Sequence, residues 1–92
     1  MYTISRHTRF KKDVKLAEKR GKNLQKLKEV IITLASGEEL DPKYKDHSLI
    51  GNYVNTRECH IEPDWLFIYR IDVEEKVLHL IRTGTHSDLF DK

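Results

Sequence analysis

The chain has 92 residues, of which 38% are hydrophobic and 35% charged, a composition that predicts one globular domain over residues 1–92. No apolar run approaches the ~20 residues of a membrane span, and the first residues lack the apolar core of a secretory signal. The single cysteine, Cys59, excludes an internal disulfide and fits a cytoplasmic location.

The charges are distributed unevenly along the chain. Residues 1–45 contain 12 Lys and Arg against 6 Asp and Glu, whereas residues 46–92 contain 5 against 9. The basic first half suits a polyanion or an acidic protein partner. Solvated helix faces rich in lysine would give the same composition, so charge alone does not decide between them.

The first half of the chain predicts a strand followed by two helices. Tyr2–Ser5 alternates in polarity and predicts a strand. Apolar residues recur at helical spacing over Arg9–Arg20, after a possible cap at Thr8, and again over Leu24–Ser36. The short link between these helices indicates an antiparallel helical hairpin.

The second half predicts a loop and then strands. Pro and Gly mark a loop over Leu40–Asn52. Strand patterns follow at Tyr53–Ile61, Trp65–Ile71 and Lys76–Thr83, and a last helical turn covers Ser87–Phe90. We therefore predict an α+β fold: a mostly antiparallel four-stranded sheet, with the helical hairpin packed on one face.

Histidines, an aspartate and an arginine cluster near the predicted strand ends. His60 and Asp64 flank a tight turn, so we expect them to face each other across a hairpin. Arg82 ends a buried row and is expected either to bind a phosphate or to pair with a carboxylate of the neighbouring strands, at Glu58, Glu62 or Asp64. His86 follows at the same sheet edge, and His47 enters from the loop. Structural or exposed roles explain each residue alone, but together they fit metal-free acid–base cleavage of a phosphodiester.

Other chemistries have weaker support in the sequence. His and Asp are good metal ligands, but no HxxxH or HxH spacing and no cysteine pair is present, so we predict no metal and no other cofactor. A nucleophilic role for Cys59 or Ser87 lacks a nucleophile elbow, and the sequence has no Gly-rich phosphate loop.

Three segments resemble the RelE-type toxins of bacterial toxin–antitoxin systems, and most closely their YafQ branch. These segments are Tyr44–Gly51, Glu58–Tyr69 and Arg82–Phe90, and Lys12–Ala17 is similar to the first helix of that branch. The resemblance covers nearly the whole chain and implies a RelE-like fold.

The resemblance implies an mRNA interferase, an endoribonuclease that cuts mRNA in the A site of the 70S ribosome. It further implies a cognate antitoxin, with operator DNA bound only through the antitoxin complex, and no membrane partner. The implied catalytic residues are His47, His60, Asp64, Arg82 and His86. Substrate binding is expected from Phe90, Trp65, Lys11, Lys12 and Lys15.

The alternative is a non-catalytic toxin of the RelE/ParE type that binds a protein such as DNA gyrase. Such a toxin does not need the histidine cluster, so the cluster favours the enzyme. A DNA-binding regulator would suit the basic half, but the sequence shows no helix-turn-helix pattern.

Overall fold

A computed structural model describes residues 1–49 and 55–90. In chain order, the helices and strands are β1 (Thr3–Arg6), α1 (Thr8–Lys19), α2 (Leu24–Ala35), a 3-10 turn (Pro42–Tyr44), β2 (His47–Ser48), β3 (Arg57–Glu62), β4 (Trp65–Asp72), β5 (Val77–Gly84) and α3 (His86–Phe90). Within this part of the chain, no helix is long and apolar enough to cross a membrane.

The strands form one five-stranded sheet in the order β1-β5-β4-β3-β2. β1 runs parallel to β5, and the other pairs are antiparallel. The α+β fold is therefore confirmed, with one strand more than predicted. The additional strand is β2, which lies inside the predicted loop and is too short, at two residues, to show an alternating pattern.

The two helices of the hairpin pack on one face of the sheet, which we call the helix face. They begin and end within one residue of the predicted positions. Their buried residues include Phe10, Ala17, Leu27 and Val30, which join Cys59, Phe67, Leu78 and other strand residues in the main core. The strand predicted over Tyr53–Ile61 begins at Arg57 in the structure. The first two residues of that prediction lie outside the described residues, and so does Asn52, where the predicted loop ends.

The opposite face, which we call the outer face, carries a smaller apolar cluster. Leu89 of α3 packs there on Leu66 and Ile68 of β4. Because strand side chains alternate between faces, Glu58 and His60 of β3 lie on the outer face, while Cys59 and Ile61 enter the main core. The outer face therefore brings β2, β3 and α3 together.

Candidate functional site

A buried carboxylate lies between two histidines on the outer face. Oε1 of Glu58 is 3.4 Å from Nε2 of His60 and 3.6 Å from Nε2 of His47, and the Glu58 side chain is only 6% exposed. A buried carboxylate favours nearby hydrogen-bond donors or cations. Glu58 thus lies at ion-pair distance from both imidazoles.

β2 and the residue before it place His47 in this cluster. Asp46 accepts hydrogen bonds from the buried Tyr69 hydroxyl and, at 2.8 Å, from Nε of Arg57. Arg57 also donates to the Ser48 hydroxyl at 2.9 Å. Burial, and then the hydrogen bond to Asp46, raise the pKa of Tyr69, so its hydroxyl keeps its proton and remains a donor. The two residues beside His47 are therefore both held by side chains of the sheet.

A second histidine–carboxylate pair lies at the start of α3. Nδ1 of His86 is 2.6 Å from Oδ1 of Asp64, and the same oxygen accepts the His86 backbone N–H at 2.9 Å. The bond from the His86 backbone and then that from its ring lower the pKa of Asp64, which therefore stays ionised. With Nδ1 donating to Asp64, Nε2 of His86 is left for substrate.

The two pairs are adjacent. The ring of His86 lies 5.9 Å from the ring of His60, in an edge-on arrangement. The structure thus brings together four of the predicted catalytic residues, His47, His60, Asp64 and His86.

The predicted pairing of Asp64 with His60 was wrong. Asp64 bonds to His86, and His60 faces Glu58 instead. The register of β3 with β4 shifts between His60 and Glu62 just before the turn, so residues that flank the turn are not simply opposed.

Arg82 has a different partner from those predicted. Its Nε and one Nη bond to the two carboxylate oxygens of Asp13 on α1, at 2.6 and 3.0 Å. Asp13 also accepts the Thr83 backbone N–H at 3.1 Å. Both side chains are nearly buried, at 11% and 12% exposed. Asp13 is not among the carboxylates Glu58, Glu62 and Asp64 named from the sequence, because it comes from α1 and strand order cannot reveal it.

Trp65 belongs to the main core, so its predicted contact with substrate was wrong. It is 1% exposed, and its indole N–H donates to the Thr83 hydroxyl at 2.9 Å. A tryptophan after a turn can face either side of a sheet, and here the alternation of β4 turns it toward the helices.

The predicted lysines do not join the histidines either. Lys11, Lys12 and Lys15 lie on α1, which packs on the helix face. Lys11 and Lys15 border a groove between α1 and α2, and in residues 1–49 and 55–90 no recorded contact joins the three lysines to His60 or His86. Phe90, by contrast, lies on the outer face and packs against the apolar cluster beneath α3.

Sequence reasoning also missed two carboxylates and one possible site. Sequence reasoning considered Glu58 only as a partner of Arg82 and did not consider Asp13, whose sequence signal is an acidic residue between Phe10 and Ala17 on the buried side of α1. His47, Glu58 and His60 could also hold a metal ion, since their ligand atoms all lie within 4.8 Å of one another. Sequence spacing rules missed this set because its members come from two strands.

Cys59 is fully buried, and burial raises the pKa of its thiol, which excludes a nucleophilic role.

Known proteins resemble this chain over almost its whole length. The sequence profile of the family described as "Bacterial toxin of type II toxin-antitoxin system, YafQ" matches residues 2–91. The mRNA interferase toxin YafQ of Escherichia coli K12 is 45% identical over 82 residues, which cover 88% of this chain and 87% of that protein.

Two crystal structures extend the likeness to the fold. A metal-bound toxin from Helicobacter pylori is 46% identical with a TM-score of 0.92, over 98% of this chain and all of that one. YafQ in the E. coli DinJ–YafQ complex is 42% identical with a TM-score of 0.89, over 98% and 99% of the two chains. This chain therefore belongs to the YafQ family of bacterial toxins of type II toxin–antitoxin systems.

Proposed function

We propose that this chain is a ribosome-dependent mRNA interferase that cuts mRNA in the ribosomal A site by metal-independent acid–base catalysis. The observation that carries the proposal is the His86–Asp64 pair beside the His60–Glu58 pair, since together they supply a proton donor and a proton acceptor at one place. The name of the E. coli relative, mRNA interferase toxin, supports the endoribonuclease activity.

His86 acts as the general acid in this proposal. Asp64 accepts a hydrogen bond from Nδ1–H, which fixes the tautomer and stabilises the imidazolium, so Nε2 carries the proton that is donated. Half of the His86 side chain is exposed, so a phosphodiester can reach it.

His60 acts as the general base. When its Nε2–H points to Glu58, its Nδ1 holds the lone pair that removes the proton of the substrate's 2′-hydroxyl. His47 shares Glu58 and assists. The 2′-oxygen then attacks phosphorus, the bond to the 5′-oxygen breaks, and His86 protonates that oxygen. The products are a 2′,3′-cyclic phosphate and a 5′-hydroxyl end.

Arg82 and Phe90 complete the proposed site. Arg82 stabilises the charge that develops on the phosphate, by sharing its guanidinium between Asp13 and the RNA or by exchanging partner when RNA binds. Phe90 stacks on a base of the mRNA. These two roles come from the family resemblance and from their positions near α3.

The proposed antitoxin partner is inferred from a related toxin. YafQ of E. coli has been crystallised in a toxin–antitoxin complex with DinJ. We propose that a cognate antitoxin likewise covers this chain in the cytoplasm, and that operator DNA is contacted only through that complex.

The test of the proposal is single-turnover cleavage of an A-site mRNA by His86→Ala. Loss of one general acid should slow cleavage roughly 10²–10⁴-fold, with stability changed by only about ±0.5 kcal/mol because the side chain is half exposed. His7→Ala is a control, since His7 bonds to His79 away from the cluster and should cleave normally. Near-normal cleavage by folded His86→Ala would exclude His86 as the general acid, whereas absence of cleavage by the unmodified protein would favour the gyrase-binding alternative.

The possible metal site gives a second test. We expect cleavage to persist in EDTA and to fall when Zn²⁺ is added, because coordination by His47, Glu58 and His60 takes the imidazole lone pairs needed for proton transfer. The slow cleavage of a short RNA without ribosomes must be measured, so that the Mg²⁺ that ribosomes need does not interfere. Loss of cleavage on chelation, with recovery in Zn²⁺, would contradict the metal-independent mechanism.

A further inference from the structure

A cavity of about 490 Å³ opens directly beside His60. It lies at the edge of β3 beyond the two residues that β2 covers, between α2 and the 3-10 turn. Its lining includes Lys26, Lys43, Tyr44, Lys45, His60 and Glu62. The volume lies within the range of about 300–1,000 Å³ that is usual for small-ligand pockets. His60 therefore borders both the proposed catalytic site and this cavity.

Two of the lysines in the cavity wall are available to an anion. Lys26 already bonds to Glu62 at 3.0 Å, and Lys22 bonds to the same carboxylate at 3.2 Å. Within residues 1–49 and 55–90, Lys43 and Lys45 have no carboxylate at ion-pair distance. The ammonium group of Lys43 instead lies 5.2 Å from the centre of the Tyr44 ring. An uncompensated pair of cations favours phosphate binding.

Tyr44 offers an aromatic ring beside these cations. It is half-buried and packs against the main core, which fixes it in place. An aromatic ring next to a basic groove is the usual way in which proteins bind single-stranded RNA, with the base on the ring and the phosphate on the cation.

The backbone holds Lys45 in a conformation that few non-glycine residues adopt. Its φ is 50° and its ψ 46°, and its N–H closes the 3-10 turn onto the Pro42 carbonyl at 3.0 Å. The next residue, Asp46, is held by Arg57 and Tyr69. A left-handed residue costs about 1–2 kcal/mol, so the surrounding contacts must fix this turn. Lys45 is thus held at the cavity in advance of any ligand.

We propose that this cavity binds the mRNA nucleotide adjacent to the scissile phosphate, with Lys43 and Lys45 on its phosphate and Tyr44 against its base. The inference rests on the proposed function, because it extends the substrate path from His60 along the open edge of β3. It adds three binding residues that lie on neither α1 nor α3.

The chain offers a matched pair of variants for the test. Lys45→Gln and Lys76→Gln each neutralise an exposed lysine at a positive φ, 50° and 55°, but Lys76 lies in the β4–β5 turn. The probe is a short RNA with a single 2′-deoxy substitution at the cleavage site, which binds but is not cut. Fluorescence anisotropy measures its affinity for each folded variant over a range of salt concentrations.

Lys45→Gln should weaken binding of this RNA roughly fivefold or more and lower the salt slope by about 0.7, whereas Lys76→Gln should bind like the unmodified protein. With the cleavable RNA, Lys45→Gln should raise KM and leave kcat within about threefold. Shortening the RNA on one side of the cleavage site should abolish the difference between the two variants.

Three outcomes would overturn the inference. In the first, Lys45→Gln binds the short RNA as Lys76→Gln does. In the second, Lys45→Gln weakens only the association with ribosomes, which would assign Lys45 to ribosomal RNA. In the third, Lys45→Gln lowers kcat alone. A failure of the proposed function is distinguishable, because the unmodified protein would then not cleave RNA at all.

The tyrosine supplies an independent variant. Tyr44→Phe keeps the ring and should bind the RNA within about twofold, while Tyr44→Leu removes the stacking surface and should weaken affinity roughly tenfold. A melting curve separates this effect from unfolding. Equal affinities of the two folded variants would remove the base-stacking part of the inference.

Discussion

Arg82 has a structural role beside the catalytic role that we propose for it. Its bidentate contact with Asp13 joins β5 to α1 across 69 positions of sequence, and both side chains are nearly buried. Removing one partner of such a pair leaves the other charge buried without compensation. The structure therefore adds a stability role to the phosphate contact that we propose for Arg82.

We predict that Arg82→Ala lowers the free energy of unfolding by roughly 3–5 kcal/mol as well as slowing cleavage, because Asp13 loses its buried counter-charge. Chemical denaturation gives the stability, and single-turnover cleavage at low temperature gives the rate of the folded fraction. Asp13→Ala/Arg82→Ala should be more stable than Arg82→Ala alone. A single variant with unchanged stability would show that the pair contributes nothing to folding.

The histidines of the site could be predicted from the sequence, but their carboxylate partners could not. Histidines near strand ends were identifiable because they are few and interrupt apolar patterns. Their partners were not, since the contact of Glu58 with His47 depends on the register of β2 with β3, and the Asp64–His86 bond depends on the pairing of β4 with β5, which sets Gly84 opposite Leu66. Pairing between strands that are distant in sequence determines both contacts, and a local sequence pattern does not predict such pairing.

The short helix α3 owes its position to contacts from other elements. Arg20, which follows α1, bonds to Asp88 at 2.6 and 3.2 Å, and Asp88 also accepts the Thr85 backbone N–H at 3.0 Å. The Arg20 bond, followed by the Thr85 backbone bond, lowers the pKa of Asp88 to about 2, so it remains ionised at any physiological pH. On the other side of the helix, Leu89 packs against the sheet. Five residues could not hold a helix alone.

We predict that Gly84→Ala reduces cleavage by displacing α3. A Cβ at position 84 would lie 2.9 Å from both Cβ and Oδ2 of Asp88, so the helix that carries His86 must move. The stability cost should be about 1–3 kcal/mol. Cleavage by the folded protein, measured beside denaturation, should fall at least tenfold.

Gly37→Ala is the matched control for this variant. Gly37 has a φ of +81°, and a Cβ added there would meet nothing within 4 Å, so its substitution strains the backbone at the end of α2 without touching α3. It should reduce stability by about 1–2 kcal/mol and cleave normally once folded. Equal cleavage by the two variants would contradict the link between Gly84 and the site.

Helices and long strands were predicted from sequence because each shows several repeats of its period. α1 and α2 have 12 residues each, and β4 and β5 have eight. β2 has two residues and no period, so the predicted sheet lacked its fifth strand. This omission matters for function, because β2 is the element that carries His47 to Glu58.

The whole molecule divides its chemistry between the two faces of the sheet. Lysine-rich α1 covers the helix face, while the histidine cluster and α3 occupy the outer face. The charge difference between the two halves of the sequence therefore becomes a difference between two surfaces. This arrangement separates the residues that would attract a large polyanion from those that would cleave RNA.

The last prediction concerns this separation. Reversing the charges of Lys11, Lys12 and Lys15 to Glu should weaken association with ribosomes and flatten its salt dependence, since the slope falls by about one for each phosphate that the protein no longer neutralises. The slow cleavage of a short RNA without ribosomes should stay within about twofold, because none of these lysines is placed against the histidine cluster. Sedimentation of the variant with ribosomes measures the first effect, and single-turnover kinetics measure the second. Unchanged ribosome binding would mean that these lysines are only a solvated helix face, and a decrease in short-RNA cleavage would mean that substrate reaches α1.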